Sequence, residues 1–255
     1  MVQSPQLQMT YPPSSKTLAQ HYTLTTDTVH VWHVNLHALQ NCAERLAAML
    51  SSAERARAAR FRFPEHRKRF IAAHSTLRDI LSRYLDLPAD QLAFSTNPYG
   101  KPALATPDHA WLQFNLSHSG DLALIAVTRN RPIGIDVEQI IPPDNFPRLV
   151  EQYFSANENA AFLALPDCKR AAAFFAGWTR KEAYVKALGT GVSLPLDHFD
   201  VTMDPDAPAG LLADRRHPHH VATWSLHTFT PAPAYLASLA VEIPRPTLTF
   251  LAASV

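Results

Sequence analysis

The chain predicts an α+β fold made of two similar halves, and two observations carry that prediction. Helices followed by strands occur twice along the 255 residues. Each half also holds a hairpin-like pair, Phe114 to Val127 in the first and Trp224 to Val241 in the second. A turn at Arg129 to Pro132 joins the halves. The expected boundaries are an N-terminal tail over 1–26, a first half over 27–130, a second half over 131–245 and a C-terminal tail over 246–255. A cleft between similar halves is a natural ligand position.

Val29 to Val34 alternates like a half-buried strand. Leu36 to Leu50 reads as a helix, and a second helix starts near Ser51, which has capping-box spacing to Glu54. A third runs from Pro64 to Leu85, with Phe70, Leu77, Ile80, Leu81 and Tyr84 as its apolar face. Leu92 to Ser95 is a short strand before the turn Asn97-Pro98-Tyr99-Gly100. Phe114 to Leu116 and Leu122 to Val127 are strands around a turn at Ser117-His118-Ser119-Gly120, and Ile133 to Val137 is a further strand. Helices then cover about Leu149 to Leu163 and Lys169 to Leu188, the latter ended by Gly189. Strands return at Phe199 to Met203, Val221 to Phe229 and Tyr235 to Val241, with a polar loop from Gly210 to His220.

The composition, 47% hydrophobic and 18% charged, is that of a soluble globular protein. A formal net charge of +1 gives no footprint for nucleic acid, so any anion site must be a local cluster. The apolar runs are too short to span a membrane. Met1 to Ser15 lacks the pattern of a secretory signal. Cys42 and Cys168 suggest no disulfide framework, which suits a reducing compartment. A cytoplasmic location is expected.

Three groups of residues can carry chemistry. In Gly134-Ile135-Asp136-Val137-Glu138, strand periodicity puts both acids on one face and Ile135 and Val137 on the other. Paired carboxylates repel unless a cation sits between them, and a hard ion such as magnesium is suited to that place. Spacing alone equally describes, and favours, a solvated strand end with two exposed acids. In Trp178 to Lys186, helical periodicity puts Lys181 and Glu182 inside the stripe of Ala171, Phe174, Trp178, Val185 and Leu188. Lys186 follows Glu182 by one turn. A surface Glu–Lys pair fits this spacing but not its apolar side, where charges need a partner or a metal. The third group is basic: Arg55, Arg57, Arg60, Arg62, Arg67, Lys68 and Arg69 on adjacent helices, with Lys101 after the Tyr99-Gly100 turn. It suits phosphates, although a single helical arginine is usually a solvated charge. Ser117-His118 reads as a phosphate or ribose grip or as a plain turn, and not as a nucleophile with its base. His217-Pro218-His219-His220 reads as an exposed loop ahead of a transition-metal site.

Gly134-Ile135-Asp136-Val137-Glu138 together with Trp178-Thr179-Arg180-Lys181-Glu182-Ala183-Tyr184-Val185-Lys186 resembles the paired signature of the 4′-phosphopantetheinyl transferases. The better match is to the large, pseudo-dimeric type that activates surfactin synthetase. Tyr99-Gly100-Lys101-Pro102, Phe114 to Ser119 and Ala59-Arg60-Phe61 fit in order and spacing, so the resemblance spans roughly Leu50 to Met203. It implies pseudo-twofold symmetry with the site between the halves, and transfer of the phosphopantetheine arm of coenzyme A to a serine of an apo acyl or peptidyl carrier protein. It also implies that Asp136, Glu138 and Glu182 hold magnesium, that Glu182 is the general base, and that Lys186 touches the transferred phosphate. Arg57, Arg69, Gly100, Lys101, Ser117, His118 and Lys186 would bind coenzyme A. A monomer without nucleic-acid or membrane partners is expected. The acids and Lys186 together argue against a mere binding module, which needs no base.

Overall fold

The computed structural model describes residues 22–253. The chain runs β1 (Thr28–Asn35), α1 (Leu36–Leu39), α2 (Ala43–Leu46), α3 (Ser52–Ala59), α4 (Pro64–Leu85), β2 (Phe94–Thr96), β3 (Pro102–Leu104), β4 (Leu112–Ser119) and β5 (Leu122–Arg129). It continues through β6 (Ile133–Gln139), α5 (Phe146–Tyr153), α6 (Ala156–Leu163), α7 (Asp167–Leu188), β7 (Phe199–Val201), β8 (Leu211–Asp214), α8 (His220–Thr223), β9 (Ser225–Phe229), β10 (Tyr235–Val241) and β11 (Thr247–Ala252).

Two sheets organise the molecule, one in the order β11-β1-β5-β4 and the other in the order β6-β10-β9. Each has a helix of 22 residues against it, α4 on the first and α7 on the second. Strand alternation decides which side chains go where. In β1 and β5, Trp32, Val34, Ile125 and Val127 point into the core shared with α4. Val29, Val31, Leu122 and Leu124 join Ile135, Val137 and Leu239 in a second core between the sheets. The layers are therefore helix, sheet, sheet, helix, as the mixed α+β expectation requires. The other face of β6 carries Gly134, Asp136 and Glu138 towards α7.

Several expectations are corrected. The helix expected over Leu36 to Leu50 is two four-residue helices joined by tight 3₁₀ turns, broken where the weak helix formers Asn41 and Cys42 fall. The helix expected over Leu149 to Leu163 divides at Phe154-Ser155, where Ser155 caps α6 in a capping box with Glu158. Val221 to Thr223 belongs to α8, and the expected loop after Gly210 contains β8, which pairs with β7. The turn between β4 and β5 is only Gly120-Asp121, so Ser117, His118 and Ser119 lie in the strand. The expected C-terminal tail contains β11, which pairs in parallel with β1 and completes the first sheet. Of the expected N-terminal tail, residues 1–21 lie outside the described residues, while Tyr22 and Leu24 pack on the first core.

Candidate active site

The site starts from a glycine. A Cβ at Gly134 would lie 2.1 Å from the Ala183 carbonyl and 2.4 Å from the Ala187 amide. Only glycine lets the α7 backbone rest on β6 this closely. The contact brings Glu182 and Lys186, which bracket it on the helix, against Asp136 and Glu138 on the strand.

Asp136 is buried. Its Oδ1 accepts from Lys186 Nζ at 2.6 Å and from Ser117 Oγ at 3.1 Å. Its Oδ2 is buried without a hydrogen-bond partner among the described residues. Ser119 Oγ donates to Glu138 Oε2 at 2.9 Å. Burial, and next the charge of Asp136, push the Glu138 carboxyl above its ordinary range. Glu182 is raised by burial, then by Asp136 and Glu138, with Lys186 opposing. Three acids thus repel one another across one ammonium. An orphaned buried oxygen beside carboxylates that resist ionising is a donor set suited to a hard divalent cation. In this arrangement, however, no three metal-ligating side chains among the described residues close around one point. Lys186 holds Asp136 Oδ1 and leaves Oδ2 free.

The seam that holds these acids was not foreseen. Alternate side chains of β4 meet the backbone of β6. Asn115 Oδ1 accepts from Ile135 N at 2.8 Å, Ser117 Oγ from Val137 N at 3.3 Å and Ser119 Oγ from Gln139 N at 3.1 Å. Ser117 and Ser119 each take a strand N–H and give their own proton to the neighbouring acid. The polar period of two in Asn115, Ser117 and Ser119 was the available signal, and reading Ser117 to Gly120 as a turn hid it.

A cavity of about 820 Å³ opens beside the acids. Glu182 and Lys186 lie in its wall with Trp178 and Tyr153, and Tyr99 and Gly100 of the first half line it too. The basic groups gather around His118. Burial first, then His74, Lys186, Arg69 and Arg57, lower the His118 pKa, so these five basic groups share one neighbourhood. His118 itself remains exposed. Arg57 lies over the Phe70 ring, whose partner on stacking is His74 at 4.0 Å between centroids. Arg69 forms a bridge to Asp121 in the β4–β5 turn, with both Nε and one terminal nitrogen 2.8 Å from Oδ1.

Two family models match consecutive stretches of this chain. They are the N-terminal 4′-phosphopantetheinyl transferase model over residues 35–130 and the 4′-phosphopantetheinyl transferase superfamily model over 132–240. The 4′-phosphopantetheinyl transferase HetI of a Nostoc species is 39% identical over 92% of this chain and 94% of its own length. The chain belongs to the 4′-phosphopantetheinyl transferase family. Two further transferases are similar to it. The psf-1 transferase of Bacillus pumilus is 35% identical, covering 79% of this chain and 82% of that one. The Sfp transferase of Bacillus subtilis is 32% identical, covering 72% and 80%.

For a 4′-phosphopantetheinyl transferase, the structure sorts the residues expected from sequence. Asp136, Glu138, Glu182 and Lys186 are brought together where α7 rests on β6. Arg57, Arg69 and His118 are together with Lys186, joined by His74, which the sequence reading did not single out. Gly100 lines the cavity in a left-handed conformation, φ 87°, that favours glycine. Ser117 has its hydroxyl committed to Asp136 and β6. Lys101 also lines the cavity, with its ammonium on the backbone carbonyls of Ile133 and Ala187. The histidines of the 217–220 segment pack on one another, and His220 Nδ1 lies 2.5 Å from the Tyr184 hydroxyl, which donates to Asp214 Oδ2 at 2.6 Å. Among the described residues this cluster makes no metal site.

Proposed function

We propose that this chain transfers the 4′-phosphopantetheine arm of coenzyme A to a serine of an apo acyl or peptidyl carrier protein, releasing adenosine 3′,5′-bisphosphate. The observation that carries the reading is the packing of α7 on β6, which sets the Asp136–Lys186 ion pair beside Glu138 and Glu182 and near the basic group of Arg57, Arg69, His74 and His118. Transfer of a phosphoryl-type group depends on positioning and charge neutralisation more than on covalent help. The basic group suits the anionic nucleotide end of coenzyme A. Lys186 suits the phosphate being transferred, where its charge opposes the charge that builds on the leaving group. Glu182 takes the proton of the carrier serine. Its raised pKa brings it nearer to neutrality, which makes it a better base than an exposed carboxylate.

Asp136, Glu138 and Glu182 are the residues that would hold magnesium, and the ion would supply charge neutralisation on the diphosphate. Asp136 would offer its unpartnered Oδ2, while Lys186 stays on Oδ1. The free thiols Cys42 and Cys168 suit a reducing, cytoplasmic setting.

The test is mass spectrometry of apo carriers incubated with the protein, magnesium and coenzyme A. The expected product is a carrier heavier by one phosphopantetheine arm. Glu182→Gln and Asp136→Ala should each cut the labelling rate by about a thousandfold. Labelling at the wild-type rate by either folded variant refutes the roles given to these acids. Coenzyme A binding without any labelling of carriers refutes the reaction.

A further inference from the structure

Lys101 and Asn97 lie in the turn between β2 and β3, in the first half, yet their partners are in the second. Asn97 shapes the turn from within, its Oδ1 accepting from Tyr99 N at 3.0 Å and Lys101 N at 2.9 Å. Its amide then reaches out of the turn, with Nδ2 donating to the Gly189 carbonyl at 2.7 Å. Lys101 Nζ donates to the Ala187 carbonyl at 2.8 Å and to the Ile133 carbonyl at 3.1 Å. Ala187 and Gly189 are the end of α7, where a helix has carbonyls without partners of its own. A cation there also opposes the negative end of the helix dipole. Ile133 is the first residue of β6.

One ammonium therefore ties together the two elements that bring the three acids to one place. Ala187 adjoins Lys186 in sequence, and Ile133 is three residues before Asp136 on the same strand. The fit at this point is close. A Cβ on Gly189, whose φ is 68°, would lie 2.9 Å from Lys101 Cδ and 3.0 Å from Asn97 Nδ2. Gly191 would meet the Tyr99 carbonyl at 3.4 Å. Burial lowers the Lys101 pKa to about 8, consistent with a charge withdrawn from water and held by backbone dipoles.

We propose that Asn97 and Lys101 are positioning residues that latch the first half onto the end of α7 and the start of β6. In this reading the Lys101 ammonium holds Glu182 and Lys186 against Asp136 and Glu138 and serves backbone carbonyls instead of a phosphate, although the residue lines the cavity. The proposal rests on the transferase reading above for its kinetic consequence, while its structural part stands apart from it. A ligand contact and a latch predict different losses. Removing a phosphate contact weakens coenzyme A binding, whereas loosening the helix end displaces the reacting groups and lowers kcat. Asn97 has no charge to offer a phosphate, so it separates the two cases.

The experiment compares wild type, Lys101→Met and Asn97→Ala. It measures kcat and KM for carrier labelling, the Kd of coenzyme A without a carrier, and amide hydrogen exchange at the end of α7. Asn97 is exposed on its turn, so its variant keeps the fold even if Lys101→Met does not. Both variants should lose about tenfold or more in kcat, the scale of a small displacement of reacting groups. Both should bind coenzyme A within about threefold of wild type, as expected when no ligand contact is removed. The Gly189 amide, which donates to Val185 O at 3.0 Å, should exchange faster in both. A Lys101→Met protein that keeps kcat but loses more than about tenfold in coenzyme A affinity would overturn the proposal and return Lys101 to the phosphate. Unchanged kcat and exchange in Asn97→Ala would overturn it as well. Failure of wild type to label any carrier would sink the transferase reading, and the exchange measurement would still decide whether the latch exists.

Discussion

Helix α7 makes two lysine–acid pairs that look alike in sequence and differ in kind. Lys181 is fully buried and faces Glu158, itself 2% exposed. Its three N–H groups go to Glu158 Oε2, Leu196 O and Phe199 O, each at 2.7 Å. Glu158 takes the backbone amides of Val201 and Ser155 as well, both at 2.8 Å. Lys186 is 30% exposed and faces Asp136, one of whose oxygens has no partner among the described residues. The first pair is saturated and joins α6, α7 and β7. The second is left open beside two further acids and a cavity. Charges on an apolar helix face do not by themselves mark a functional site. What separates structure from chemistry here is whether every donor and acceptor is already used.

The comparison breaks most visibly at Lys181. Lys181→Met leaves Glu158 buried without its counter-charge, at a cost of about 3–5 kcal/mol. At about 2–4 °C per kcal/mol for a chain of this size, thermal melting should fall by roughly 6–20 °C, and magnesium should not restore it. Lys186→Met should cost less, about 1–3 kcal/mol in the metal-free protein, because Ser117 still serves Asp136. Saturating magnesium should recover that loss, and a melt unchanged by the ion would contradict the open character of the pair. In wild type the sign follows from the raised carboxyls. Glu138 and Glu182 are pushed above 4.5, so the metal-free folded protein keeps protons that the unfolded chain has released, and its stability falls as pH rises past 4.5. Magnesium at ten times its Kd adds about 1.4 kcal/mol. The melting point should therefore rise by about 3–5 °C at pH 7 and by less at pH 5, as differential scanning calorimetry can record. The smallest change is Ser119→Ala, which removes one donor to Glu138 and the acceptor of Gln139 N. It should lower the metal-free stability by about 1 kcal/mol or less and raise the magnesium concentration for half-maximal stabilisation by about tenfold.

The legible parts of the molecule were those set by local periodicity. The alternation in Gly134 to Glu138 put the acids on one face and Ile135 and Val137 on the other, and the structure has them so. The apolar face of α4 was readable for the same reason. Lys181 and Glu182 could not be told apart, because adjacent helix positions lie only about 100° from each other and both fall in a wide stripe. Which of them finds a saturating partner depends on Glu158, which no local pattern connects to either. Lys101 follows a Tyr-Gly turn of the kind that suits a phosphate, and no local pattern announces the carbonyls of Ile133 and Ala187, more than 30 positions away, that its ammonium also meets. The β4 comb was concealed by polarity. Ser117-His118-Ser119 has the composition of a turn, and its pairing with Leu122 to Leu124 of β5 makes it a strand.

The pairing of β11 with β1 has a bearing on how the protein forms. The two strands come from near opposite ends of the described chain, and Thr28 stands beside Thr247. Phe250, on β11, also packs against Phe229 of the second sheet, with ring centroids 5.1 Å apart. The first sheet thus lacks an edge until residue 252 has left the ribosome. Its β1 margin stays open to mispairing while the intervening residues are made, and closing it spans a long loop.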